Sequence, residues 1–355
     1  MIRFVPRERT PLWLTVAVSI GSGLAALLLT AVPLALSGAP ILDAFLLMAK
    51  GAAGDGFALA ETLTRATPLI FTGLAAAVAF RAKLWNIGAE GQLYAGALAT
   101  VALGAGLIEA PSYVLLPLVL LAAALAGAAL LLVAVFFKSR FGADEVVVTL
   151  LMNFIVLLIV QMMLEGPMKD EMALGWPQSA PVLDEATLPK LITGLRLHWG
   201  LIIAIAAALL LHVLMSRTVW GFRIRAVGEN ARAARYAGLP VGRSMVLVGL
   251  LSGGLAGLAG ASEVAGLKGY LTSDLSPGFG YAGIVVATLA NLSPLGVIPS
   301  AIFIAGVFVG ADSMSRTIGV SNYLADLVVS FSLLSVLIGG LLTRFRLVMV
   351  RREAA

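Results

Sequence analysis

Asn86, Glu90 and Tyr94 are spaced by four, so a helix through them puts an amide, a carboxylate and a phenol on one face. Gln92 belongs to the same block, Asn86-Ile87-Gly88-Ala89-Glu90-Gly91-Gln92, whose glycines permit a broken helix and close backbone approach. Apolar sequence flanks the block, and a carboxylate at membrane depth is costly unless it faces water or a partner. Two readings follow. The block is a discontinuous helix whose polar face lines a solute path, with Asn86, Glu90, Gln92 and the lone amide Asn153 as path residues. Alternatively, Glu90 lies at the interface as an N-terminal helix acid, and Asn153 hydrogen-bonds another helix. Other chemistry is hard to find. The sequence has no phosphate-binding loop, no nucleophile elbow and no metal-ligand spacing. It has no cysteine and only two histidines, His198 and His212, so no catalytic or metal site is expected.

The second unusual stretch is Ser216–Arg243, with Arg217, Arg223, Arg225, Arg232, Arg235 and Arg243 against the single acid Glu229. Spans flank it, and a short loop this basic belongs on the cytoplasmic face. Gly228-Glu229-Asn230 is expected as a turn into a short helix, Ala231–Ala237, closed by Gly238 and followed by Pro240. Such a helix suits a soluble partner, but a positive-inside anchor without a partner would look the same.

The elements that hold these stretches are membrane spans. Of 355 residues 60% are hydrophobic and 12% charged, about half the charge of a soluble domain. The mean hydropathy is +1.01. The net charge of +5 does not indicate nucleic acid, because the basic residues sit in short loops and at the termini. The fold class expected is all-α: a single polytopic transmembrane domain over residues 1–355 with about ten helices.

In order, the spans are about Leu12–Leu36, Glu61–Phe80, Leu84–Ile108, Tyr113–Phe137, Asp144–Leu164, His198–Met215, Ser244–Ala261, Tyr281–Asn291, Gly296–Ala311 and Tyr323–Leu342. Arg3, Arg7 and Arg9 hold the start of the first span inside, and ten spans return the basic tail to the same, cytoplasmic side. The four prolines of residues 165–197 argue for a periplasmic loop without a long helix. Glu263–Gly280 is expected as a Gly-rich outer segment carrying Glu263, Lys268 and Asp274.

Gly249, Gly253 and Gly257 recur every four residues, a pattern that lets helices pack closely. Tyr94-Ala95-Gly96 and Tyr281-Ala282-Gly283 each open a span after a Gly-rich turn, in opposite directions, as in an inverted repeat of five plus five spans. From these residues alone three functions stay open. They are a subunit of a driven importer, an ion-coupled carrier using Glu90 as relay, and a membrane scaffold.

Four blocks then narrow the choice. FRAKLWNIGAEGQLYAGA (Phe80–Ala97), EVVVTLLMNF (Glu145–Phe154), GFRIRAVGENARAARYAGL (Gly221–Leu239) and SPGFGYAGIVVATLANLSPLG (Ser276–Gly296) resemble the permease subunit of ATP-binding cassette importers. The type is that of branched-chain amino acids, ribose and simple sugars, nearest to its nucleoside or simple-sugar branch. The resemblance runs from about Thr62 to Arg344. Lys83 stands where the family has a small residue, and Phe154 where tyrosine is common.

The resemblance implies an inner-membrane subunit with no cofactor of its own, ATP and magnesium being held by a separate ATPase. It makes the cytoplasmic helix within Gly221–Gly242 a coupling helix, with Gly228, Glu229, Asn230, Ala233, Ala234 and Gly238 in contact with that ATPase. It further implies a second homologous permease as heterodimer partner, a periplasmic or lipid-anchored substrate-binding protein, and membrane lipid around the bundle.

Overall fold

The computed structural model describes residues 2–6 and 12–349. Arg7, Arg9 and the end of the basic tail lie outside the described residues. In chain order the elements are strand β1 (Ile2–Pro6), helices α1 (Leu12–Leu36), α2 (Ile41–Ala53), α3 (Gly56–Arg81), α4 (Ala89–Gly104), α5 (Ser112–Phe141), α6 (Glu145–Glu165), α7 (Gly200–Arg217), α8 (Val219–Glu229), α9 (Ala231–Tyr236), α10 (Val241–Glu263), α11 (Phe279–Leu289), α12 (Pro294–Ile318) and α13 (Asn322–Arg344), and strand β2 (Phe345–Met349). Among the described residues seven helical stretches are long and apolar enough to cross a membrane, lying on α3, α5, α6, α7, α10, α12 and α13.

The chain forms two compact units, residues 1–58 with 306–355, and residues 59–305. In the first, α1 packs along α13. There, β1 and β2 pair antiparallel from Ile2↔Met349 to Pro6↔Phe345. Both segments are rich in β-branched and large apolar residues, and each is the other's ladder partner. The rest of the described fold is helical, as expected. Glycine also brings α2 to α12 in this unit: a Cβ on Gly310 would lie 2.6 Å from the Met48 carbonyl.

The second unit is built around α10, which α5 and α4 flank closely. A Cβ on Gly253 would lie 2.4 Å from the Gly127 carbonyl of α5, and one on Gly257 would lie 2.1 Å from that of Ala123. Gly249 faces Leu132 and Val135 across the same interface. Gly260 turns to α4, where its Cβ would lie 1.9 Å from the Leu93 carbonyl. Lipid tails give no hydrophobic drive between helices, so this backbone proximity supplies the dispersion that holds the unit together.

Two boundaries differ from the sequence expectation. The seventh span does not stop at Ala261: α10 runs to Glu263 and continues as a π-helical turn, Val264–Lys268. No residue from Ala261 to Lys268 is a strong breaker except Gly266, and the buried small-residue face has no reason to end earlier. Glu263 is consequently buried, not solvated. The Arg-rich loop, expected to hold one short helix, holds two. Thr218 caps α8, its hydroxyl accepting from Gly221 N at 3.2 Å. Gly228 and Glu229 thus close a helix instead of forming a turn.

Residues 166–199 carry only a single-turn 3-10 helix, Asp184–Ala186. The loop is tied to the unit by Val182 N to Gly269 O at 2.8 Å and Leu188 N to Ala265 O at 2.7 Å.

Candidate functional site

The site begins where α3 ends. Leu84 N donates to Ala79 O and Lys83 N to Phe80 O, both at 3.0 Å, the paired bonds of a Schellman stop. The left-handed position of that motif is Lys83, at φ 54°. Glycine is the residue that adopts this conformation freely, so a lysine here carries backbone strain. The chain then runs extended for a few residues before α4 starts at Ala89.

That break is held by a closed set of hydrogen bonds. Asn86 Nδ2 donates to Gln92 Oε1 and Ser252 Oγ, both at 2.9 Å. Its Oδ1 accepts from Gly88 N at 3.0 Å and Gln92 Nε2 at 2.9 Å. Every hydrogen-bonding position of the Asn86 amide is therefore occupied. Ser252 passes the link on, donating to Ala75 O of α3 at 2.8 Å. From α6, Asn153 Oδ1 accepts from Gly91 N at 2.8 Å, and its Nδ2 donates to Ile87 O at 3.0 Å and Tyr281 Oη at 3.1 Å. Asn86 is fully buried and Gln92 and Asn153 are 1% exposed.

Glu90 reaches further. Its carboxylate accepts from Gly280 N at 2.6 Å, at the first turn of α11. A buried carboxylate is thereby matched to the N-terminal amides of another helix, whose dipole favours negative charge there. Gly280 allows the approach, because its Cβ would lie 2.2 Å from Glu90 N. The two tyrosine openings meet the same region: Tyr94 Oη donates to Ser273 O at 2.8 Å, and Tyr281 Oη accepts from Asn153. The structure therefore gathers Asn86, Glu90, Gln92 and Asn153 around one helix break and engages each with the chain itself. The partners Ser252 and Gly280 were missed by sequence reasoning; their separations of 166 and 190 residues leave no local signal.

The Arg-rich helices attach directly to this break. A Cβ on Gly228 would lie 2.0 Å from the Arg81 carbonyl, so α8 touches the end of α3 backbone to backbone. Lys83 Nζ donates to Glu229 O at 3.3 Å, and Lys138 Nζ donates to Lys83 O at 3.3 Å while pairing with Glu145. Asn230 ends α8 and caps α9, its Oδ1 accepting from Arg232 N and Ala233 N at 3.0 Å. Gly238, at φ 78°, closes α9. Ala234 is buried against the bundle, whereas Ala233 and the arginines at 232 and 235 are exposed and Tyr236 is 94% exposed. Six residues of helix cannot be stable alone, so their order comes from the cap and this anchoring.

Three buried groups lack a partner among the described residues: Glu263 Oε1, His198 Nε2 and Arg223 Nε. His198 Nδ1 accepts from Gly200 N at 3.1 Å, and its ring is slotted between Gly200 and Gly266. Burial, with Lys190 nearby, lowers its pKa from 6.5 to about 4. No group of three or more potential metal ligands occurs among the described residues.

A family model described as the permease component of branched-chain amino acid transport systems matches residues 58–337. The glucose ABC transporter permease protein TsgB13 of Haloferax volcanii is 34% identical over 96% of this chain and 92% of its own length. The guanosine ABC transporter permease protein NupP of Bacillus subtilis is 34% identical over 84% of this chain and 86% of its own. NupQ of the same organism, also a guanosine permease protein, is 27% identical over 68% of this chain and 77% of its own.

Proposed function

This chain belongs to the family of permease components of branched-chain amino acid transport systems and is a permease subunit of an ATP-binding cassette transporter; on that premise we propose that it builds one half of an importer's path for nucleosides or simple sugars and takes up the ATPase stroke through α8 and α9. ATP hydrolysis belongs to a separate subunit, and the permease is not itself an enzyme. The observation that carries the reading is the contact of Gly228 with the Arg81 carbonyl. It joins a basic helix pair to a break in the bundle where α3, α4, α6, α10 and α11 are cross-braced. A push on α9 displaces α8, and α8 has no side chain at Gly228 to yield before the α3–α4 joint moves.

In this reading Gly228, Glu229, Asn230, Ala233, Ala234 and Gly238 form the coupling element. Asn230 and Gly238 fix its two ends, and Ala233 is on its exposed side. Asn86, Glu90, Gln92 and Asn153 belong to the path as its braces. Their hydrogen-bonding capacity is used within the chain, so they shape the wall that the solute passes.

The whole chain is one transmembrane domain of ten spans: the seven long stretches, together with α1 and the short α4 and α11. Pairing of β1 with β2 supports an even count, since both termini must then lie on one side. The basic loop supports assigning that side to the cytoplasm. The short helices α4 and α11, each opened by Tyr-Ala-Gly and meeting through Glu90 and Gly280, support an inverted repeat. NupP and NupQ, two similar permease proteins from one organism, favour a heterodimer, with a substrate-binding protein on the outer face.

The test uses the complete transporter in vesicles. Gly228→Asp is expected to leave ATPase binding and hydrolysis in place while uptake falls about tenfold, a coupling loss near 1.4 kcal/mol. Normal uptake by a folded Gly228→Asp transporter overturns the coupling assignment. Because the chain has no cysteine, Tyr236→Cys gives a clean label for sidedness; modification from the periplasm overturns the topology.

A further inference from the structure

A cavity of about 150 Å³ opens in the second unit beside the basic loop, lined by Arg81, Arg225, His212, Ser216 and Ser293 on its polar side. We propose that it binds a phosphate-type anion, supplied by the headgroup of an anionic phospholipid.

Three features carry this. Arg81 ends α3 and Arg225 lies mid-way along α8, yet both reach one cavity, and no carboxylate lines it. Neither guanidinium has a hydrogen bond or ion pair among the described residues, unlike Arg196, which is paired with Glu61 at 3.7 Å. Two like charges sharing a small cavity repel, and a guanidinium pair with no internal acid matches the fork geometry of phosphate oxygens. The volume also suits the assignment, being several times the roughly 30 Å³ that one water takes in the liquid. A hydroxyl stands ready on the same wall: Ser293 Oγ accepts from Gly296 N at 3.4 Å and keeps its proton to donate to the anion, whereas the Ser216 proton goes to His212 O at 2.6 Å.

The remaining wall is apolar, made by Met215, Leu292 and Pro294. A free solute anion has no use for that wall, whereas a lipid glycerol and proximal acyl chain do. The cavity also lies at the C-terminal end of α7, where a membrane span gives way to the basic loop. Basic pockets between helices at the cytoplasmic surface are where anionic headgroups concentrate. A neutral sugar or nucleoside would leave both guanidiniums unmatched, so this cavity is distinct from the solute path. The choice of lipid as source rests on the cytoplasmic placement of the loop proposed above. The binding measurement does not, so the two readings fail separately.

The purified full-length chain in uncharged detergent is titrated with phosphatidylglycerol, phosphatidylcholine or inorganic phosphate, with thermal unfolding and native mass spectra as readouts. Phosphatidylglycerol is expected to raise the Tm and leave bound lipid, with phosphatidylcholine ineffective. Arg81→Gln with Arg225→Gln should weaken this by about tenfold or more, the loss expected for charge-assisted bonds. Arg232→Gln with Arg235→Gln removes the same charge from exposed α9 and should leave it unchanged. If the first pair does not fold, Arg81→Lys with Arg225→Lys keeps the charge, loses the fork and should still weaken binding. Equal loss in both glutamine pairs means bulk attraction only and overturns the site. Equal response to the two lipids overturns it as well. If inorganic phosphate protects as well as phosphatidylglycerol, the anion chemistry stands and the lipid source is overturned.

Discussion

The helix break at residues 82–92 and the helix pair α8–α9 touch each other, yet they treat polar groups in opposite ways. At the break, buried amides and a carboxylate are matched atom for atom inside the chain, as Asn86 shows with four bonds. On the helix pair the basic side chains at 232 and 235 are exposed, with no partner among the described residues. A fully matched buried network specifies one geometry and resists change, because losing any member strands the others. Exposed, unmatched charge contributes little to stability and remains available to something else. The contrast separates a buried brace from an exposed helix pair better than residue type does, since Asn86 and Asn230 are the same residue in the two regions.

Breaking the brace should have the largest effect. Asn86→Leu strands Gln92, Ser252 and the Gly88 amide, and is expected to cost about 4 kcal/mol, seen as a lowered unfolding midpoint of the purified chain. Full stability with lost uptake would instead make Asn86 a solute contact and undo the contrast.

Acid probes the same rule at a buried group in the long loop before α7. The His198 pKa lies at about 4 when folded, below its usual 6.5, so the unfolded chain binds more protons between those values. Stability is therefore intact above pH 6.5 and declines as pH falls towards 4, by up to about 3 kcal/mol. His198→Gln should flatten that decline when unfolding is followed against pH; an unchanged profile places the acid sensitivity elsewhere.

The smallest effect is expected at the joint between the two regions. Lys83→Gly relieves a left-handed lysine and should stabilise the chain by about 1 kcal/mol, partly offset by the lost contact to Glu229. The midpoint should rise slightly with uptake retained. A drop in uptake would show that the Lys83–Glu229 bond itself carries coupling.

Much of the scaffold was legible because the membrane imposes it. Long apolar runs must be helical to satisfy their backbone, and the stretches found on α3, α5, α6, α7, α10, α12 and α13 follow from hydropathy. The Asn230 cap was legible too, as a short-range preference of one residue type. Helix α8 was missed although Thr218 offered the same kind of cap; the Gly-containing, arginine-rich composition hid it. The glycine content of Glu263–Gly280 points to a loop, whereas in the structure Gly266 lies within the π-helical turn that continues α10, packed against the His198 ring.

The amino-acid sequence by itself determined that this is a helical membrane protein, which loops carry positive charge, and the family of its four motif blocks. Those properties depend on composition, periodicity and short-range spacing. Tertiary structure alone decided that Glu90 faces the first turn of α11, that Asn86 is fully engaged, that Gly228 rests on the Arg81 carbonyl, and that Arg81 and Arg225 share a cavity. Each joins residues far apart in the chain, and hydrogen bonds and close packing act over a few ångströms in space, whatever the separation in sequence.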